Sequence, residues 1–400
     1  MATDKRGRKL PKGITQRPDG RYMGRFQYDG EQYTLYHKTS VKQLQKAMND
    51  MRYELEHGLY ASAKKVKVDE WFKTWMKEYK EGVVKPSTCN LYYTYYDLYI
   101  KETLGKKNLQ DLKSIHIQKM YNELARQGLK ENTVKKVDTI MSGMLRQAVR
   151  NEILIKNPCD AVEIPKTEKR EKQILTADQQ RELLVFVSNS NKWRKYTTLF
   201  TVALGTGMRI GELLALNWSD IDFNNKTINI NKTLQYLKNS KTKKYECVMQ
   251  TPKTKTSKRV IPLLDSLAFL LRKHRKEQQL LKVRLGDKWQ PIEKDDFKNL
   301  VFTTEFGRPF DRCAINRAIN SIVKDMNKER NESNLFPNFT PHSLRHSFAT
   351  RCFEQGIPPK VVQGYLGHST IQMTMDLYTH VMEDVKQDEI KKLENVFKMA

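Results

Sequence analysis

Residues Lys166–Lys172 read Lys-Thr-Glu-Lys-Arg-Glu-Lys, and every one of them except Thr167 is charged. A core cannot absorb such a run, because charges taken out of water are costly unless paired. The stretch reads as an exposed linker. A chain of 400 residues cut in this way folds as separate units, each with its own core.

On the N-terminal side, residues 1–12 are basic, lack apolar periodicity and read as a flexible arm. Three short candidate strands follow, Gly13–Arg17, Arg21–Tyr28 and Glu31–His37. Pro18-Asp19-Gly20 and Asp29-Gly30 stand between them as turn signals. Ser40 can cap a helix in which Val41, Leu44, Met48, Met51 and Leu55 recur at helical spacing, and Gly58 ends it. Residues 13–60 therefore read as a small sheet backed by one helix, and 61–65 as a linker. From Val68 to Val162 the pattern is helical. Trp71, Phe72, Trp75, Met76 and Tyr79 form one stripe, Pro86 opens a Tyr-rich helix, and Ile115–Arg126 and Asn132–Asn151 give two more. Beyond the charged run, Thr176 caps a new helix, and the remainder is mostly helical. The exceptions are Thr227–Leu237 and Glu246–Leu263, whose β-branched alternation predicts a small antiparallel sheet inside a helical domain.

Lys and Arg number 72 against 46 Asp and Glu, a formal net charge of +26. An excess of this size points to a polyanion, nucleic acid first and an anionic membrane surface second. No apolar run is long enough to span a bilayer, and Met1-Ala-Thr-Asp-Lys-Arg lacks the apolar stretch of a signal peptide, so a soluble cytoplasmic protein is expected. Five scattered cysteines without a paired spacing read as reduced thiols. RNA recognition has little to rest on, because no aromatic RNP-like box is present.

Four clusters in the C-terminal half carry chemistry. In Thr206-Gly207-Met208-Arg209-Ile210-Gly211-Glu212, Arg209 stands at the start of a helix. A cation there opposes the macrodipole unless an anion binds beside it. Glu212, one turn on, could brace the guanidinium. Thr251-Pro252-Lys253-Thr254-Lys255-Thr256-Ser257-Lys258-Arg259 reads as strand, basic turn, strand, with Lys253 and Lys255 on one face. In Pro341-His342-Ser343-Leu344-Arg345-His346, His342 and Arg345 share a helical face. His342 and His346 have a metal-like spacing, but no Glu of a His-Glu-x-x-His zinc motif lies between them and no Cys is near, so no metal is expected. The last cluster joins Leu366-Gly367-His368-Ser369 to Leu377-Tyr378-Thr379-His380.

Arg209 in TGMRIGELLAL, His342 and Arg345 in HSLRH, His368 in LGHS and Tyr378 in LYTH agree with the tyrosine recombinase signature in identity, order and spacing. From roughly Leu175 to His380, about half the chain, the sequence resembles the lambda integrase family, most of all the integrases of conjugative transposons and temperate phages. The resemblance implies a multidomain, mainly α fold with small β-sheets (α+β). Its parts would be an arm-type DNA-binding domain (13–60), a helical core-binding domain (66–165), a catalytic domain (173–384) and a C-terminal helical tail (385–400). It places a catalytic lysine in a β-hairpin, where Lys253 and Lys255 both qualify and Lys253, just before the turn, is preferred. In the tail, Val385, Ile390, Leu393, Val396 and Phe397 have amphipathic helical spacing. That helix could pack on its own domain, but the resemblance favours docking on a neighbouring protomer.

The activity implied is cleavage and rejoining of double-stranded DNA through a 3′-phosphotyrosine at Tyr378, without metal, ATP or cofactor. The element would be integrated and excised by a homotetramer holding crossover and arm-type sites, with an accessory protein for excision. Two rivals share the composition. A type IB topoisomerase-like enzyme would rejoin the same strand, and a non-catalytic architectural protein would only bind. The LGHS box and the multidomain layout speak against the first, and the complete residue set against the second.

Overall fold

The structure, a computed structural model, describes residues 2–56, 65–167, 173–238, 244–251 and 257–378. The chain divides into two compact units, Met1–Lys169 and Arg170–Ala400. Among the described residues no helix is long and apolar enough to cross a membrane.

The first unit opens with an antiparallel sheet of β1 (Ile14–Gln16), β2 (Tyr22–Tyr28) and β3 (Glu31–His37), in that order. Asp29 and Gly30 both take positive φ, which turns β2 tightly into β3. Ser40 Oγ accepts the N–H of Gln43 at the start of α1 (Val41–Glu56). Leu44 and Met48 of α1 bury against Ile14, Tyr22 and Phe26. A Cβ on Gly24 would lie 2.2 Å from Met48 Sδ, so the Met48 side chain of α1 fills the space above this glycine.

Residues 2–10 depart from the flexible arm expected of them. Thr3 bridges to Lys9, and Leu10 is buried in the same small core. The buried Asp4 carboxylate accepts the backbone N–H groups of Arg6 and Arg8 and the Nε–H of Arg8. One acid and one leucine, both easy to overlook in a basic run, are enough to fold the loop.

Four main helices follow: α2 (Val68–Trp75), α3 (Pro86–Tyr95), α5 (Ser114–Arg126) and α6 (Glu131–Arg150), with a single turn, α4 (Lys101–Leu104), between the second and third. α2 and α3 each run on through a π-helical turn, Met76–Lys80 and Tyr96–Ile100. The apolar stripe of α2 packs on Val137, Ile140, Met141 and Met144 of α6 within one core. Trp71 Nε1 donates to the Met144 carbonyl at 2.8 Å, so the one polar atom of that buried ring is satisfied.

The second unit is mostly helical around one large core. It begins at α7 (Ala177–Asn189), capped by Thr176, whose Oγ1 accepts the Gln179 N–H. Among the described residues the hydrophobic α8 (Thr197–Thr206), the short α9 (Ile210–Leu214), α10 (Asp265–Leu285), α11 (Asp295–Lys298), α12 (Arg312–Met326), α13 (Pro341–Glu354) and α14 (Pro359–Leu366) follow, with a further helix over 372–378.

The strands form two sheets, β4 (Ile221–Asp222), β5 (Thr227–Ile230) and β8 (Arg259–Pro262) in one, β6 (Thr233–Lys238) and β7 (Tyr245–Gln250) in the other. The strands expected on either side of the lysines are present. β7 pairs with β6, and β8 pairs with β5. Thr233 is opposite Gln250 and Ile230 opposite Arg259. The strands that flank the basic segment do not pair with each other, and residues 252–256 between them lie outside the described residues. Local alternation reveals strands, but not which strand each will pair with.

Candidate active site

Arg209 is the N-cap of α9, and its position depends on Gly207 before it. Gly207 ends α8 at φ 62°. A Cβ there would stand 2.3 Å from the Phe348 ring of α13 and 3.0 Å from Leu366 of α14. Only glycine allows the left-handed turn and the close approach of three helices together.

At the far end of α14, Gly367 is again left-handed, at φ 64°. The last carbonyls of a helix lack intrahelical partners and carry the negative end of its dipole. Here three consecutive ones each accept from an arginine. Arg259 Nε donates to the Tyr365 oxygen at 2.6 Å, Arg345 Nη2 to that of Leu366 at 2.6 Å, and Arg209 Nη2 to that of Gly367 at 3.0 Å. Arg345 also donates to the Gly207 carbonyl at 2.8 Å. Like charges that would repel in isolation are thus gathered on one helix end.

The buried carboxylate of Glu212 completes the arrangement. It accepts from Arg209 Nη1 at 2.8 Å and from the Arg209 backbone N–H at 3.0 Å, and it pairs with Arg259 through both oxygens at 3.2 and 2.9 Å. Burial pushes its pKa up, but the hydrogen bonds and charge of Arg259 and Arg209 outweigh this and hold it below the usual glutamate value. Arg345, 3% exposed, has carbonyls and no carboxylate as hydrogen-bond partners among the described residues. Burial, and then the charge of Arg209, pull its pKa down to about 9.

His342 lies one turn before Arg345 on α13, and its ring stacks with that of His346 at 6.1 Å. One edge is open to solvent, yet the protein mass around it, then Arg312, Arg345 and Arg209, lower its pKa. His368 follows Gly367 and is 6% exposed, with Nδ1 2.9 Å from the hydroxyl of the fully buried Thr374. Burial, followed by the fields of Arg345 and Arg209, lowers its pKa to about 3. Tyr378 is the last described residue of the helix over 372–378 and packs edge-to-face on Phe353 of α13, ring centroids 5.0 Å apart. Among the described residues no hydrogen bond joins it to either Arg209 or Arg345. Lys253 and Lys255 lie outside the described residues, as does the tail 385–400. Among the described residues no group of three or more His, Cys, Asp or Glu side chains could hold a metal.

Sequence reasoning overlooked Arg259 and Thr374. Arg259 had a legible signal. The two-residue period that buries Ile261 and Leu263 also turns Arg259 inward. Thr374 had none, because only the fold brings it to His368.

The lowered His368 pKa has a measurable result. The unfolded chain takes up this proton near the ordinary histidine value, about 6.5, whereas the folded protein resists it down to about 3. The contribution to stability is full above pH 6.5 and lost as pH falls through that window, by up to about 1.4 kcal/mol per unit. His342 acts in the same direction. Urea midpoints at pH 7, 6 and 5 should fall steadily for the wild type and less steeply for His368→Asn. Equal slopes would mean that His368 titrates normally.

A half-helical α+β domain that gathers two guanidiniums, a carboxylate brace and two neutral imidazoles is suited to a phosphodiester, and the comparisons agree. Residues 173–384 match the phage integrase family and residues 67–125 its N-terminal SAM-like domain. The chain belongs to the phage integrase family. It is a tyrosine recombinase, an enzyme that cleaves and rejoins DNA, of the transposon-integrase type. It is 33% identical to a tyrosine recombinase XerC-like protein of Caldanaerobacter subterraneus, over 86% of each chain. It is 26% identical to the transposase from transposon Tn916 of Enterococcus faecalis, over 98% of this chain and 96% of that one. The Tn1549 transposon integrase, solved in complex with transposon right end DNA, superposes with a TM-score of 0.70 at 25% identity, covering 82% of this chain and all of that one. The topoisomerase and architectural readings are not favoured.

Proposed function

We propose that this recombinase integrates and excises a mobile element through a 3′-phosphotyrosine on Tyr378. The observation that carries the reading is the pair of guanidiniums, Arg209 and Arg345, anchored side by side on the Leu366 and Gly367 carbonyls. Arg209 keeps a third of its side chain open to solvent. Phosphodiester cleavage spreads charge over the non-bridging oxygens, and forked N–H donors fixed in advance suit that charge. His342 and His368, held neutral, add hydrogen bonds or move a proton. Tyr378 attacks phosphorus, the 5′ oxygen leaves, and a lysine donates its proton. Lys253 is our choice for that lysine, with Lys255 the alternative. Bond energy stays in the phosphotyrosine, so the 5′ hydroxyl of a partner duplex can reverse the step without ATP, metal or cofactor.

The open face of β1–β3 displays Thr15, Arg25, Gln27, Gln32, Thr34 and Tyr36, donors and acceptors suited to arm-type sites, and the helical region 66–165 holds the core site. Strand exchange between two duplexes requires four active sites, hence a homotetramer on DNA in the cytoplasm. A tail at 385–400 could link its protomers, and an accessory protein could favour excision.

The test is a nicked duplex carrying the element's end, incubated with the full chain in EDTA. The expected product is an SDS-stable adduct whose DNA-bearing peptide contains Tyr378. A protein that shifts this duplex but forms no adduct would defeat the proposal.

A further inference from the structure

We propose that Arg259 is a positioning residue which keeps Arg209 available to the phosphate by occupying half of Glu212. The inference rests on the recombinase reading above. Arg259 cannot touch DNA itself. Its side chain is 6% exposed, and its donors go to Glu212 and to the carbonyls of Tyr365 and Ser257.

Each Glu212 oxygen accepts two N–H groups, one from Arg259 and one from Arg209. This sharing leaves Arg209 with one side-chain bond to the carboxylate. Its Nη2 is free to take the Gly367 carbonyl, and its Nε–H has no bond among the described residues. Removing Arg259 frees half of a buried carboxylate. The nearest cation able to satisfy it is Arg209, and a carboxylate with both oxygens open draws a guanidinium into a two-pronged pair. Arg209 would then turn inward, neutralised, and lose its grip on Gly367. The Tyr365 carbonyl would be released as well, at the helix end that also holds Arg345. Arg259 also donates to the Ser257 carbonyl two residues before it.

Carboxylate capture of Arg209 and a merely structural role of Arg259 differ in one measurable outcome. If the harm in Arg259→Met comes from an orphaned carboxylate capturing Arg209, then neutralising that carboxylate should restore activity. Single-turnover adduct formation on the nicked duplex, at saturating protein, isolates this step from binding. Arg259→Met should cleave about 100-fold more slowly, the effect of losing one fixed donor, with duplex Kd within about threefold of wild type. Arg259→Met combined with Glu212→Gln should cleave about tenfold faster than Arg259→Met alone, a coupling of opposite sign to simple damage. Arg259→Lys, which keeps the charge but cannot span two oxygens and a carbonyl, should fall between wild type and Arg259→Met, and carries the test if the Met variant does not fold. A double variant no faster than Arg259→Met would overturn the proposal, as would Arg259→Met or Arg259→Lys cleaving at the wild-type rate. Absence of any wild-type adduct would overturn the recombinase reading and this proposal with it.

Discussion

Tyr378→Phe should form no SDS-stable DNA adduct at any time or protein concentration, while binding the same duplex as tightly as wild type. The change removes one oxygen and leaves the ring. That ring packs edge-to-face on Phe353 in a small cluster with Cys352, Val362, Leu366 and Leu377, contacts that phenylalanine retains. Stability should therefore shift by no more than about 0.5 kcal/mol, the range of substitutions that leave packing intact. The chemical loss, in contrast, is total, because a covalent intermediate needs its nucleophile. Gel shift, a melting curve and a denaturing gel on one preparation separate the three quantities. An adduct that survives the substitution would place the nucleophile on another side chain.

Arg345→Met should lower cleavage by about 10³-fold, the upper range for loss of one preorganised charge donor, without a comparable loss of fold. Arg345 is a buried cation whose hydrogen-bond partners are carbonyls, and Arg209 and Arg259 both repel it. Methionine removes that repulsion and the cost of burying the charge, but leaves the Gly207 and Leu366 oxygens without their donor. Replacing buried charge by an apolar side chain is often neutral or stabilising, and two weakened carbonyls offset this by about 1–3 kcal/mol each at most. The melting temperature should stay within about 8 °C of wild type, roughly what 2 kcal/mol shifts in a domain of this size. A larger fall would mean that the arginine serves the fold first. Full cleavage by the methionine variant would remove Arg345 from the chemistry.

The contrast between these two sites and Arg259 shows what could be read in the sequence. Arg209, His342, Arg345, His368 and Tyr378 sit beside turn glycines, helix starts and short spacings, which are local and legible. The Pro341 start and the Thr340 cap of α13 belong to the same class. The boundaries of β2, β3 and α5 were readable for that reason too. What escaped was settled by distant partners. β8 pairs with β5 and not with β7, and Thr374 becomes the partner of His368 only once the chain has folded. Residues 2–10 were misjudged because a basic run conceals what one buried aspartate can do. The lysine segment could be identified by composition, but not placed.

The end of α14 has one more consequence. The three atoms that seat Arg259, Arg345 and Arg209 are main-chain oxygens, and an oxygen of that kind belongs to every amino acid. Tyr365 and Leu366 could be exchanged for other residues through long divergence without removing a single acceptor, provided that Gly367 keeps its left-handed turn. The scaffold of the site is inherited as backbone shape, and substitutions can rewrite the letters around it while the arginines stay where they are.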